Sequence, residues 1–324
     1  MLTDVCSSHS VVAVQIGKKL AVRLDAILMR SLLLWLAFGS AFAGSLDQPP
    51  LSDRFFESSG IKIHYVDVGS GDAVILLHGN GGSWQDWTRS GVLQSLSRDF
   101  RVIAMDARGH GQSDKPHDLK AYGLEMSLDV LRLMDHLKIR KAHLVGYSMG
   151  AQTVAHLIVI APQRFISATL GGAPGRFYWT DEDIRQAEQN AVERERDCIS
   201  RGMIAARAPV GAPPMSEAEF QRRSAACFAN TASDRFALAA VGRGQVTQMI
   251  TRAQAAAVKV PTLGVVGSAD GYLKNFQDLK TIRPDLQLVV IQGASHGTAA
   301  ERPEFLASTR DFLLAHRMGP SGRA

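Results

Sequence analysis

The chain of 324 residues contains only three cysteines and no H-E-x-x-H or C-x-x-C spacing. Neither a metal centre nor a dithiol redox pair is therefore legible, and no cofactor is expected. Internal repeats and low-complexity tracts are absent, which removes solenoid and fibrous architectures. No apolar run approaches the roughly 20 residues that a membrane-spanning helix needs. Charge of one sign is scarce too, the formal net charge being +5. What remains is 46% hydrophobic and 21% charged. That balance suits one large soluble domain, or a domain with an insertion, able to bury a core unaided.

"MRSLLLWLAFGSAFAGS", from Met29, joins a basic start to an apolar stretch and an Ala41-Phe42-Ala43 cleavage signature. Residues 1–43 are read as a signal peptide region cleaved after Ala43, with a linker over 44–53 that contains Pro49 and Pro50. Met29 is read as the true start, because the charged region upstream is otherwise unusually long. An N-terminal anchor or a buried helix is the alternative. No cysteine directly follows Ala43, so a lipid-modified N-terminus is not expected. The expected location is periplasmic or secreted, with no membrane span in the mature chain. Cleavage removes Lys18, Lys19, Arg23, Arg30, Asp4 and Asp25 and leaves a net charge of +3. Such a balance gives no reason to invoke nucleic acid or an anionic membrane. Cys6 is lost as well, leaving Cys198 and Cys227, an even pair expected to form a disulfide in an exported protein.

After the linker, "RFFESSG" and "IKIHYVDVG" read as two strands joined at Ser59-Gly60. "AVILLHG", "RVIAM", "AHLVGYS", "RFISATLG", "PTLGVVG" and "LQLVVIQG" read as further strands, most of them apolar runs of the kind covered on both faces. Between them, "SWQDWTRSGVLQSLSRDF" is expected as one helix capped by Ser83. "LEMSLDVLRLMDHL" is expected to bury Leu124, Leu128, Leu131 and Met134. Helices also follow Ser148 and run through "RPEFLASTRDFLLAH" from Arg302. The alternation implies an α/β fold, a mostly parallel sheet with helices on both faces. The core is expected over 54–174 and 245–317. Residues 175–244 contain no buried strand, and their basic residues are all arginine. This stretch reads as a helical lid over the sheet edge, with helix starts at Thr180 and at Ser216, where Glu219 completes a capping box.

Functional groups of a parallel sheet gather at the carboxyl ends of its strands. Ser148, in "GYSMG", ends one strand and Met149 opens the next helix. A sharp strand-to-helix turn exposes such a serine and aims the Met149 N–H and the helix dipole at a developing anion. The hydroxyl needs a base, and the base an orienting group. His296, in "GASHG", and Asp270, in "VVGSADGY", close the two late strands. They are the candidate base and acid, a turn residue being the competing reading of Asp270. His78 and His110 read as braces, Asp106 and Arg108 as loop ties, and His316 as a helix-end cation.

With "LLHGNGG", "DARGHGQSDKP", "LVGYSMGA", "PTLGVVGSAD" and "GASHG" in that order, the chain resembles the α/β-hydrolase family from about Arg54 to His316. The resemblance implies an oxyanion hole of the Asn80 and Met149 N–H groups and a catalytic set of Ser148, Asp270 and His296. The serine sets the chain apart from epoxide hydrolases and dehalogenases, which carry aspartate at that turn. The expected activity is hydrolysis of small-molecule, lipid or polymeric carboxylic esters through an acyl-enzyme. The alternatives are an exopeptidase of the proline-aminopeptidase type, using Glu193 and Glu195, or a binding protein without turnover. Trp84 and Phe177 are candidate pocket residues, with helix packing the competing use of Trp84 and of Trp87.

Overall fold

A computed structural model describes residues 51–318. The signal region, its cleavage after Ala43 and most of the 44–53 linker lie outside the described residues. Ser59 and Gly60 carry φ of 52° and 77°, the positive-φ pair that a two-residue hairpin loop requires. They join β1 (Arg54–Ser58) to an antiparallel β2 (Ile61–Gly69), with Ser58 opposite Ile61. There follow β3 (Ala73–Leu77), α1 (Gln85–Arg89), α2 (Val92–Leu96), β4 (Arg101–Met105), α3 (Leu124–His136), β5 (Ala142–Tyr147), α4 (Met149–Ile160) and β6 (Phe165–Gly171). After β6 the chain runs through α5 (Asp181–Asp197), α6 (Arg201–Arg207), α7 (Glu217–Ala229), α8 (Arg235–Gly244) and α9 (Arg252–Ala257). It closes with β7 (Thr262–Gly267), α10 (Leu273–Ile282), β8 (Gln287–Ile291) and α11 (Pro303–Ala315).

The sheet order is β1-β2-β4-β3-β5-β6-β7-β8, parallel from β4 to β8. Side chains alternate between its two apolar faces. Ala73, Ile75 and Leu77 of β3 pack with α3 and α4 residues such as Val130 and Val154, whereas Val74 and Leu76 pack with Leu93 and Phe305 on the opposite face. Because β4 and β5 flank β3, the chain reverses its winding there, and a crevice opens beyond the carboxyl ends of β3 and β5.

Two expectations are corrected. The helix over 83–100 is instead α1 and α2, broken at Gly91, whose φ of 73° is left-handed. Ser83 is not its cap, since Trp84 occupies that position and Ser83 Oγ donates to Gln85. On α3 the buried positions are Met126, Ser127, Asp129, Val130, Leu133 and Met134, while Leu124 is exposed. The face is turned because Asp129 faces inward, where it accepts from Arg108 Nε at 2.6 Å and from Ser58 Oγ at 2.5 Å.

The segment between β6 and β7 begins as expected. Thr180 caps α5 in a capping box completed by Asp183, and Ser216 caps α7 through the Glu219 N–H. The Glu219 carboxylate, however, turns to Arg222 and Arg223 instead of closing a box. Ser200 and Asp234 cap α6 and α8, two helices the sequence reading did not separate. Cys198, at the end of α5, is disulfide-bonded to Cys227 of α7 with Cα atoms 5.9 Å apart, within the ordinary range. No helix among the described residues is long and apolar enough to cross a membrane.

Candidate active site

Ser148 has φ 54° and ψ −112°, a conformation that a non-glycine residue adopts only when its surroundings impose it. The surroundings are tight. A Cβ on Gly146 would strike the backbone of Gly150, and one on Gly150 would strike the Leu77 carbonyl. The two glycines thus let β5 turn into α4 against β3, leaving the Ser148 side chain half-buried at the rim. Met149, first residue of α4, has an N–H with no intrahelical acceptor, at the positive end of the helix dipole.

The loops after β7 and β8 bring Asp270 and His296 to this serine. His296 Nδ1 lies 3.0 Å from Asp270 Oδ2 and its Nε2 lies 2.9 Å from Ser148 Oγ. An ionised carboxylate only accepts, so Nδ1 carries the ring proton and Nε2 is left to accept from the serine hydroxyl. Asp270 and His296 are both buried, and the other Asp270 oxygen accepts from the Tyr272 N–H at 2.9 Å. Tyr147, unnoticed in the sequence though it sits inside the "GYSMG" motif, donates from its hydroxyl to the His296 carbonyl at 2.6 Å. Burial pushes its pKa above the ordinary tyrosine value, which keeps it a donor.

Gly79 places the β3 loop against the serine, since a Cβ there would lie 3.5 Å from Ser148 Cβ. Asn80 follows and is gripped from the β6–β7 helices. Arg194 of α5 donates to Asn80 Oδ1 at 2.9 Å, and Arg207 of α6 donates to its carbonyl oxygen. Burial, with Arg207 nearby, lowers the Arg194 pKa to about 10. Both arginines escaped the sequence reading. The missed signal is the spacing of Arg194 from Ala187 and Ala191, which puts all three on one inward stripe of α5.

The other candidates take structural places. His78 accepts from the Ala107 N–H at Nε2 and donates from Nδ1 to the Gly79 carbonyl. His110 is driven down to about 3 by burial and by His78, so it stays neutral. Asp106 holds His64 and the Trp84 and Gln112 N–H groups. Glu193 and Glu195 pair with Arg201 and Arg243.

A cavity of about 500 Å³ opens on Ser148, Met149 and His296, roofed by α5 residues and walled by Tyr178, Trp179 and Tyr272. Residues of α5 and α6 thus share a cavity wall with Ser148 and His296. A second cavity of about 280 Å³ also reaches Ser148 and His296 and is lined in part by Trp87 and Arg207. The expected pocket residues are corrected here. Trp84 packs against the apolar face that holds Trp87, and Phe177 is buried in the opposite face, so neither lines a cavity at Ser148. Their places are taken by Tyr178 and Trp179, the neighbours of Phe177. Among the described residues, no group of three or more His, Cys, Asp or Glu side chains is arranged to hold a metal ion.

The chain spans about a third of the length of some curated relatives that it matches and nearly all of the length of others. It is 38% identical over 118 residues to the dihydrolipoyllysine-residue acetyltransferase component of the acetoin cleaving system of Cupriavidus necator, covering 36% of this chain and 31% of that one. It is 26% identical over 275 residues to a putative 2-succinyl-6-hydroxy-2,4-cyclohexadiene-1-carboxylate synthase of Bacillus subtilis, covering 80% and 97%. The solved structure of Est816, described as an N-acyl homoserine lactone degrading enzyme, superposes with a TM-score of 0.63 at 25% identity, covering 80% of this chain and 100% of that one. Residues 72–303, well over half of the chain, match the family described as alpha/beta hydrolase fold, and the chain belongs to that family.

Proposed function

We propose that the protein hydrolyses carboxylic esters, with Ser148 as nucleophile, His296 as general base and acid, and Asp270 as the group that orients and charge-stabilises the imidazole. The observation that carries this reading is the relay itself, 2.9 Å from serine to histidine and 3.0 Å from histidine to aspartate. As Ser148 Oγ attacks the ester carbonyl, His296 Nε2 takes its proton, and Asp270 stabilises the resulting cation. The carbonyl oxygen becomes an anion received by the Asn80 and Met149 N–H groups, each such donor being worth about 3 kcal/mol in the transition state. His296 returns the proton to the departing alcohol. It then deprotonates a water that releases the acid from Ser148.

The α5–α8 helices act as a lid that shapes the cavity, and the Cys198–Cys227 bridge suits a protein exported to an oxidising compartment. The exopeptidase reading loses support, because Glu193 and Glu195 are ion-paired and line neither cavity at Ser148. Steady-state and burst kinetics on a p-nitrophenyl ester series, with fluorophosphonate labelling, test the reading. Ser148→Ala, His296→Ala and Asp270→Asn should each lower kcat at least about a thousandfold with folding retained. An Asp270→Asn enzyme within tenfold of the parent would sink the acid assignment. A labelled protein without turnover would make it a binding member of the family.

A further inference from the structure

A guanidinium withdrawn from water is ordinarily paired with an anion, because a buried unpaired charge is strongly destabilising. Arg108 follows the rule through Asp129 and Arg283 through Asp285. Arg176 gives its hydrogen bonds to the Gln152 and Gln248 side chains and does not line the cavity. Arg194 shares with Arg176 the lack of an anionic partner but, unlike it, faces the cavity at Ser148. It is 8% exposed and lines the larger cavity, yet its partners are the neutral oxygens of Asn80 and Leu238. Its Nε, like that of Arg176, is buried with no partner. Arg207 reaches the same cavity from α6, stays open to solvent there, and donates to the Asn80 carbonyl without an ion-pair partner among the described residues. The one carboxylate among the residues lining this cavity, Asp183, is taken up by the Thr180 N–H and hydroxyl.

We propose that Arg194 and Arg207 bind a carboxylate on the substrate, so that the ester cleaved at Ser148 is anionic, such as a monoester of a short dicarboxylic acid. The substrate class rests on Ser148 being an ester nucleophile, whereas the anion site rests on the two arginines alone. A planar guanidinium fork matches a carboxylate, and a partly desolvated site strengthens their attraction. Asn80 sets the spacing. It joins both arginines to the loop beside Ser148, so the carboxylate sits a few bonds from the carbonyl under attack.

The test pairs monoethyl succinate, glutarate and adipate with ethyl butanoate, pentanoate and hexanoate, which replace the carboxylate by a methyl group, with acid release followed in a pH-stat. At least one anionic member should exceed its neutral partner tenfold or more in kcat/KM, chiefly through KM. Arg194→Gln and Arg207→Gln should each reduce that ratio at least fivefold. Arg207, being open to solvent, supplies the variant whose folding is secure if Arg194→Gln fails to fold. Equal losses on both members of every pair would overturn the proposal and leave the arginines as braces for Asn80. If no ester is turned over, the reading of Ser148 fails separately, and calorimetric titration of Ser148→Ala protein with glutarate still decides the site. Binding weakened at least fivefold by Arg207→Gln supports it. No binding, or tighter binding of inorganic phosphate than of glutarate, overturns it.

Discussion

Acid should unfold this protein through three buried histidines that take no part in the proposed catalysis. His110, His143 and His156 are buried in the neutral form, and burial is the main cause of the low pKa of each. His110, with His78 beside it, lies at about 3, and His143 and His156 at about 4. In the unfolded chain each would titrate near the ordinary value of about 6.5. Between those limits the unfolded state binds more protons, so stability is whole above the unfolded pKa and is lost as pH falls toward the folded one. Each histidine then forfeits about 1.8 kcal/mol between pH 7 and pH 5, and the three together about 5 kcal/mol. That is comparable with the whole stability of an ordinary domain. Urea or guanidinium midpoints measured across this range should fall steeply. His156→Gln should flatten the fall by about a third, whatever it does to stability at neutral pH. A midpoint unchanged from pH 7 to pH 5 would refute the reasoning.

Catalysis should respond to pH in the same direction, kcat/KM rising toward alkaline pH and then levelling off, because a histidine base must be neutral to accept the serine proton. A flat profile with chemistry rate-limiting would contradict a histidine base. Asp129→Ala strands Arg108 in the core and should cost about 3–5 kcal/mol in a denaturant titration, as broken buried pairs do. A cost under 1 kcal/mol would show that the pair contributes little, on the usual scale of exposed ion pairs. Reducing Cys198–Cys227, or replacing both with serine, removes a constraint worth about 3–4 kcal/mol in the chain-entropy model. Hydrogen exchange should then speed up in α5 and α7 before it does in the central strands, and uniform exchange would contradict that local role.

Much of the molecule was legible because its signals are local. The apolar runs that became β3, β5 and β7 announce strands buried on both faces, and the glycines around Ser148 announce a turn that admits no side chain. Residues that end strands of one parallel sheet must meet at its carboxyl edge, so Ser148, Asp270 and His296 could be picked out across 148 positions. Thr180 and Ser216 named their helices by the same local rule, and an even pair of cysteines anticipated the bridge. What only the tertiary structure decided is which face each element turns inward. Amphipathic spacing weighs Leu against Asp by side-chain type alone, so it turned α3 toward Leu124. In the fold, Asp129 is buried because Arg108 and Ser58 meet it there. Arg194 is buried because Asn80, from a loop 114 residues earlier, accepts its hydrogen bond. A charged residue can be buried only where distant parts of the chain supply its partners, and the order of residues along the sequence does not carry that information.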